Sequence, residues 1–231
     1  MKFSLLLGVL FGFLVGSGTA HVQAGTLELS GIAGGRYILP MTSLKEARFK
    51  TTQQQQFDFS CGSAALATLL TYQYNTPVTE QAVFEEMFAN GDQEKIKREG
   101  FSLLDIKSYL GKYGFQADGF ELPLSKLAES KLPAIVLVVD KGYHHFVVVK
   151  GLRDGRILIG DPSSGTRAVS VENFESIWQN KLLFVIHSNQ SQAKFNQDID
   201  WKVSPRAPLS AVINLNNLFN ATLPKFGPGD L

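Results

Sequence analysis

The alternation of apolar and polar positions divides the chain into a helical half and a strand-forming half. After Cys61, the residues Ala64, Leu66, Ala67, Leu69 and Leu70 recur at helical spacing and predict a helix that starts at the cysteine, with Ser60 as its N-cap. Two more helices are predicted at about 79–90 (TEQAVFEEMFAN, with Thr79 as cap) and 102–113 (SLLDIKSYLGKY). Phe84, Met87 and Phe88 read as core packing on the first of these. Val- and Ile-rich runs then predict strands at about 134–139, 145–150, 156–160, 167–171 and 182–187. Helices first and strands later is an α+β order, with N-terminal helices packed on a mainly antiparallel sheet.

The two ends of the chain break this pattern. MKFSLLLGVLFGFLVGSGTA has one early Lys, an apolar run from Phe3 to about Val15 and then small residues. This is the pattern of a signal peptide over 1–24, cleaved after Ala20 or Ala24, and it predicts export to a bacterial periplasm. The run falls short of the roughly 20 apolar residues of a spanning helix, so an uncleaved anchor would be the chain's route to a membrane. Residues 25–49 form a lead-in. From Ser188 the chain turns polar, Asn-rich and Pro-punctuated, so 188–231 is expected to be an extension. It would pack over the domain through Trp201, Val212, Ile213, Leu215 and Phe219, or serve as a partner-binding arm.

Charge adds little: 22 Lys plus Arg face 21 Asp plus Glu, and the absence of a polybasic block argues against nucleic acid as a partner. The cysteine count adds more. Cys61 is alone in 231 residues, which for an exported chain leaves a buried inert thiol, an intermolecular disulfide or a nucleophile. A thiol at a helix N-terminus meets the positive end of the macrodipole and unpaired N–H groups, an environment that favours thiolate chemistry.

A nucleophile needs a base. His187 ends an apolar run and reads as a strand-end residue, whereas His144 and His145 open a strand whose hairpin partner ends at Asp161. A two-residue turn at Asp154-Gly155 would set Asp161 opposite Val148 and place His144 on its face. A three-residue loop with a bulge would set it opposite Val147 and select His145, and spacing alone leaves both open.

The set Gln55, Cys61-Gly62, His145-Phe146-Val147-Val148 and Asp161-Pro162 resembles the C39 family of papain-like cysteine peptidases over roughly residues 50–187. The resemblance implies a papain-like fold, Cys61 as nucleophile, His145 as base, Asp161 as its orienter and Gln55 as oxyanion donor. Gln53, Gln54 and Gln56 are then ordinary loop residues. Many members of the family carry Asp where this chain has Ser60. No phosphate-binding G-x-x-x-x-G-K-[ST] motif or zinc-type spacing occurs, so a free-standing peptidase without metal or cofactor is expected. Its partner would be a polypeptide substrate, and the chain is similar to the C39-like component of bacterial functional-amyloid secretion systems. A catalytically silent peptide-binding adaptor and an acyl or peptidyl transferase with the same triad are the alternatives.

Overall fold

The computed structural model describes residues 25–30, 36–41, 43–140 and 142–203. The expected signal segment over 1–24 lies outside the described residues. Two units divide the chain after Ser43. In the first, β1 (Gly25–Ser30) and β2 (Arg36–Met41) pair antiparallel, in a lead-in for which the hydrophobic pattern predicts no element.

The second unit begins with helices: α1 (Leu44–Phe49), α2 (Cys61–Thr68), α3 (Glu80–Asn90), α4 (Gln93–Glu99) and α5 (Leu103–Lys112). There follow β3 (Ala117–Glu121), α6 (Ser125–Ser130), β4 (Ala134–Asp140), β5 (Tyr143–Arg153) and β6 (Arg156–Asp161). β7 (Gly165–Ser170), α7 (Val171–Ile177), β8 (Leu182–Ile186) and α8 (Asp198–Trp201) follow among the described residues. Six strands form one antiparallel sheet in the order β3-β8-β4-β5-β6-β7. The architecture is α+β, with helices on an antiparallel sheet.

Alternation along β5 builds a core on each face. Phe146 and Val148 join Leu66 of α2, Leu70 of the π-helical turn that follows it, Met87 of α3, and Ile106 and Leu110 of α5 on one side. Val147 and Val149 join Ile157, Ile159, Leu127 of α6 and Phe174 of α7 on the other. Each such side chain contributes about 1.5–3 kcal/mol when fully buried. Phe84 and Phe88, at the edge of the first core, are half-buried and stack with ring centroids 5.5 Å apart.

Helix starts follow local chemistry. The Thr79 hydroxyl accepts the Ala82 N–H at 3.2 Å, and Ser102 and Asp105 form a reciprocal capping box on α5. β3 lacks β-branched residues and is largely exposed, and its pairing to β8 is what makes it a strand. Beyond β8 the chain stays packed on the sheet: Phe195, Asp200 and Trp201 are buried, and the Trp201 ring lies under the guanidinium groups of Arg153 and Arg156. Val212, Ile213, Leu215 and Phe219 lie outside the described residues. Among the described residues no helix is long and apolar enough to cross a membrane.

Candidate active site

α2 begins at Cys61, a free thiol with 6% exposure whose helix is buried along its whole length and continues as a π-helical turn, Leu69–Gln73. Ser60 stands at the N-cap position but does not cap with its side chain. Its hydroxyl instead accepts the Phe57 N–H and donates to the Phe57 carbonyl, both at 3.1 Å, closing the 57–60 turn. The first N–H groups of α2 are therefore without a side-chain acceptor, which leaves the positive end of the helix at the thiol.

The β5–β6 hairpin settles which histidine faces Asp161, by a route that neither turn length alone provides. Asp154 and Gly155 form a two-residue turn with φ of 55° and 71°, and Arg153 pairs with Arg156. The register then shifts between Val149 and Gly151, where Lys150 is the extra residue, so that Val148 pairs with Gly160. Asp161 falls opposite Val147, and the side of the strand that carries Val147 carries His145.

The side chains meet accordingly: His145 Nε2 lies 2.8 Å from Asp161 Oδ1, both residues nearly buried. His144 is exposed at the cleft. Asp161 is itself held, Oδ1 by the Ser163 N–H (2.8 Å) and hydroxyl (2.7 Å), Oδ2 by Arg167 Nη2 (3.2 Å). Burial opposes its ionisation, but the hydrogen bond and charge of His145, followed by the bonds from Ser163, hold its carboxyl far below the usual carboxylate range. Burial likewise disfavours a charged imidazole. Hydrogen bonding and charge from Asp161, with the nearby Cys61 adding to them, outweigh it and push His145 up to about 9. With Nε2 committed to Asp161, the buried Nδ1 has no hydrogen-bond partner and is the nitrogen left for proton exchange.

Gln55 is tied to the same corner, its backbone N–H donating to the Pro162 carbonyl at 3.1 Å. One N–H of its side-chain amide goes to the Phe57 carbonyl (3.1 Å), and the amide also lies within reach of the Tyr143 hydroxyl. Gln54 and Gln56 are exposed, but Gln53 is not the ordinary loop residue expected from the sequence. Its amide donates to the Val78 carbonyl and Thr71 Oγ1 while its Oε1 accepts the Glu80 N–H, so it latches the 51–56 loop to the start of α3. A long polar side chain among four glutamines gives no sign of which one turns inward.

Two further residues complete the site without a sequence signal. Glu80, 4% exposed beneath α2, accepts from the Ser63 hydroxyl at 2.9 Å, and burial raises its pKa. Tyr143 crosses from β5 to the loop before Cys61, donating its hydroxyl to the Asp58 carbonyl at 2.6 Å, with its ring 5.8 Å from that of His145. A cleft of about 750 Å³ opens beside Cys61, with Phe101, Leu137, Tyr143, His144 and Phe146 in its walls. His187 pairs instead with Asp118 at 2.8 Å on another part of the sheet. Among the described residues no group of three or more His, Cys, Asp or Glu is arranged to hold a metal ion.

Residues 48–190 match the model of the Peptidase C39 family. The chain is 37% identical over 194 residues to the probable functional amyloid protease FapD of Pseudomonas fluorescens, covering 84% of this chain and 83% of that protein. To its counterpart in Pseudomonas aeruginosa it is 38% identical over 165 residues, 71% and 73% of the two chains. The crystal structure of the peptidase domain of Streptococcus ComA is 25% identical and superposes with a TM-score of 0.49 over 59% of this chain and 97% of that one.

Proposed function

The chain belongs to the peptidase C39 family and is a cysteine peptidase, and from that premise we propose that it cleaves an exported polypeptide by a Cys61–His145–Asp161 mechanism with Gln55 as oxyanion donor. The observation that carries the mechanism is the buried His145–Asp161 pair, whose Nε2 contact leaves Nδ1 free beside a thiol at a helix N-terminus. His145 Nδ1 takes the thiol proton, and the thiolate sulfur bonds to the scissile carbonyl carbon. The carbonyl oxygen becomes an oxyanion facing the Cys61 N–H and the side-chain amide of Gln55. The tetrahedral centre collapses, His145 delivers its proton to the leaving amine, and a thioester remains. Water, deprotonated by Nδ1, attacks the thioester and releases the acid and the thiol. Asp161 holds the tautomer and balances the imidazolium charge throughout.

Export is supported by the apolar stretch near the N-terminus. An amyloid or secretion-system component as substrate is supported by the relatives, which are named functional amyloid proteases. The test pairs a labelled exported amyloid polypeptide with the purified chain, with and without an added amine. Hydrolysis that vanishes in Cys61→Ala is expected. Amine capture would make the protein a transferase, and binding without turnover would make it an adaptor. Gln55→Ala should lower kcat by about 10²–10³-fold with little change in KM, since its amide serves charge that develops only in the transition state.

A further inference from the structure

Past residue 190, where the family match ends, the chain turns back across β5 at the point where that strand bulges. The Asn196 backbone N–H donates to the Lys150 carbonyl, and its side-chain amide donates to the Leu152 carbonyl, both at 2.9 Å. These are the carbonyls on either side of Gly151. A Cβ on Gly151 would stand 2.3 Å from Asn196 Oδ1 and 3.2 Å from its Cα, so the close approach requires glycine. The extra residue of a bulge is left out of the ladder; here its carbonyl is served by the returning segment.

The side chain of that extra residue is held by the same segment. Lys150 is fully buried, and its ammonium donates to Asp200 Oδ1 (2.7 Å), the Thr51 carbonyl (2.7 Å) and the Thr51 hydroxyl (2.9 Å). Asp200 is 2% exposed, with Gln73 Nε2 at 3.4 Å from its other oxygen. Burial lowers the pKa of Lys150 while Asp200 opposes the shift. Removing one partner of such a pair leaves an uncompensated buried charge. The network also reaches the loop that carries Gln55, through Thr51.

We propose that residues 194–201 are a clasp on the β5 bulge, with Asn196 and Asp200 as positioning residues that keep His145, and not His144, on the Asp161 side. The inference rests on the Cys61–His145–Asp161 reading above. Without the bulge, the two-residue turn would set Asp161 opposite Val148, and a one-residue slip sends each side chain of a strand to the other face. The clasp thus lets residues outside the C39 match govern residues inside it.

The experiment uses the full chain with Asp200→Asn, Asn196→Ala and Gly151→Ala, the last displacing Asn196 by collision while leaving both charges in place. For each, kcat and KM are measured well below the melting temperature. The low-field proton resonance of the His145 N–H bound to Asp161 is recorded alongside, identified by its absence in His145→Ala. The expected result is a loss of about 10²-fold in kcat, a KM close to the wild type, and a weakened or missing resonance in folded protein. If Asp200→Asn does not fold, Asn196→Ala and Gly151→Ala decide the matter. Lowered melting temperatures with kcat and the resonance unchanged would reduce the segment to a brace and overturn the proposal. Full activity in His145→Ala would instead overturn the triad reading, and the clasp with it.

Discussion

Replacing Gln53 with alanine should cost stability and spare chemistry, the reverse of the effect expected at Gln55 two residues on. The side chain accepts the Glu80 N–H at 2.6 Å and donates to the Val78 carbonyl and to Thr71 Oγ1 at 3.2 Å. Val78 keeps a second donor, Thr71 Oγ1, at 2.8 Å, so its carbonyl is not orphaned. The Glu80 N–H belongs to the first turn of α3 and has no intrahelical acceptor, and leaving it unpaired costs about 1–3 kcal/mol. The two remaining lost bonds contribute about 0.5–1.5 kcal/mol each, which brings the total to about 2–6 kcal/mol. At about 2–4 °C per kcal/mol for a domain of this size, Gln53→Ala should melt about 4–24 °C below the wild type. Gln54→Ala, at an exposed position, should stay within about 0.5 kcal/mol. Thermal unfolding followed by circular dichroism measures both, with peptide turnover recorded below the transition. Equal melting temperatures for the two variants would refute the latch. A fall in kcat for folded Gln53→Ala would show that the loop transmits to the site more than stability.

His145→Ala should abolish turnover and His144→Ala should leave most of it, because only the former is within reach of Asp161; peptide kinetics with the opposite ranking would return the hairpin to its unbulged register. The pH dependence of stability follows from the same pair. His145 is raised from 6.5 to about 9 on folding, so its contribution is complete below about 6.5 and lost as pH rises through about 9. Asp161 is shifted the other way, so its contribution is present above its ordinary value of 3.8 and is lost only as pH falls well below it. The melting temperature should therefore decline between about pH 6.5 and 9, and the decline should flatten in Asp161→Asn; a wild-type curve level across that window would contradict the ion pair.

Hydrophobic periodicity located α2, α3, α5 and the strands β4 to β8, because each buries a continuous stripe or face and the stripe is written in the sequence. It passed over β3, whose strand character comes from β8, and the short helices α4, α6 and α7, which have only a few apolar positions each. Asp161 was legible as a strand-end acid, and the choice between His144 and His145 was narrowed by resemblance. Its physical cause, a bulge at Lys150, is maintained by Asn196 and Asp200 from 46 and 50 positions further along the chain, a long-range effect invisible to a local window. Ser60 has the right residue type for a cap, yet its hydroxyl is drawn to the turn behind it. Gln53, Glu80 and Tyr143 act through tertiary contacts, so their identity in the sequence carries no mark of their role.

The order of the sheet sets a clock on assembly. β8, the last strand among the described residues, takes an inner place between β3 and β4. A chain emerging from the ribosome therefore leaves the facing edges of β3 and β4 unpaired until residue 186 is out. β3 must wait for a partner made more than sixty residues later, since Ala117 pairs with Ile186. Such non-local pairing slows folding and exposes strand edges while it is pending. A protease built this way completes its central sheet only after β8 has emerged.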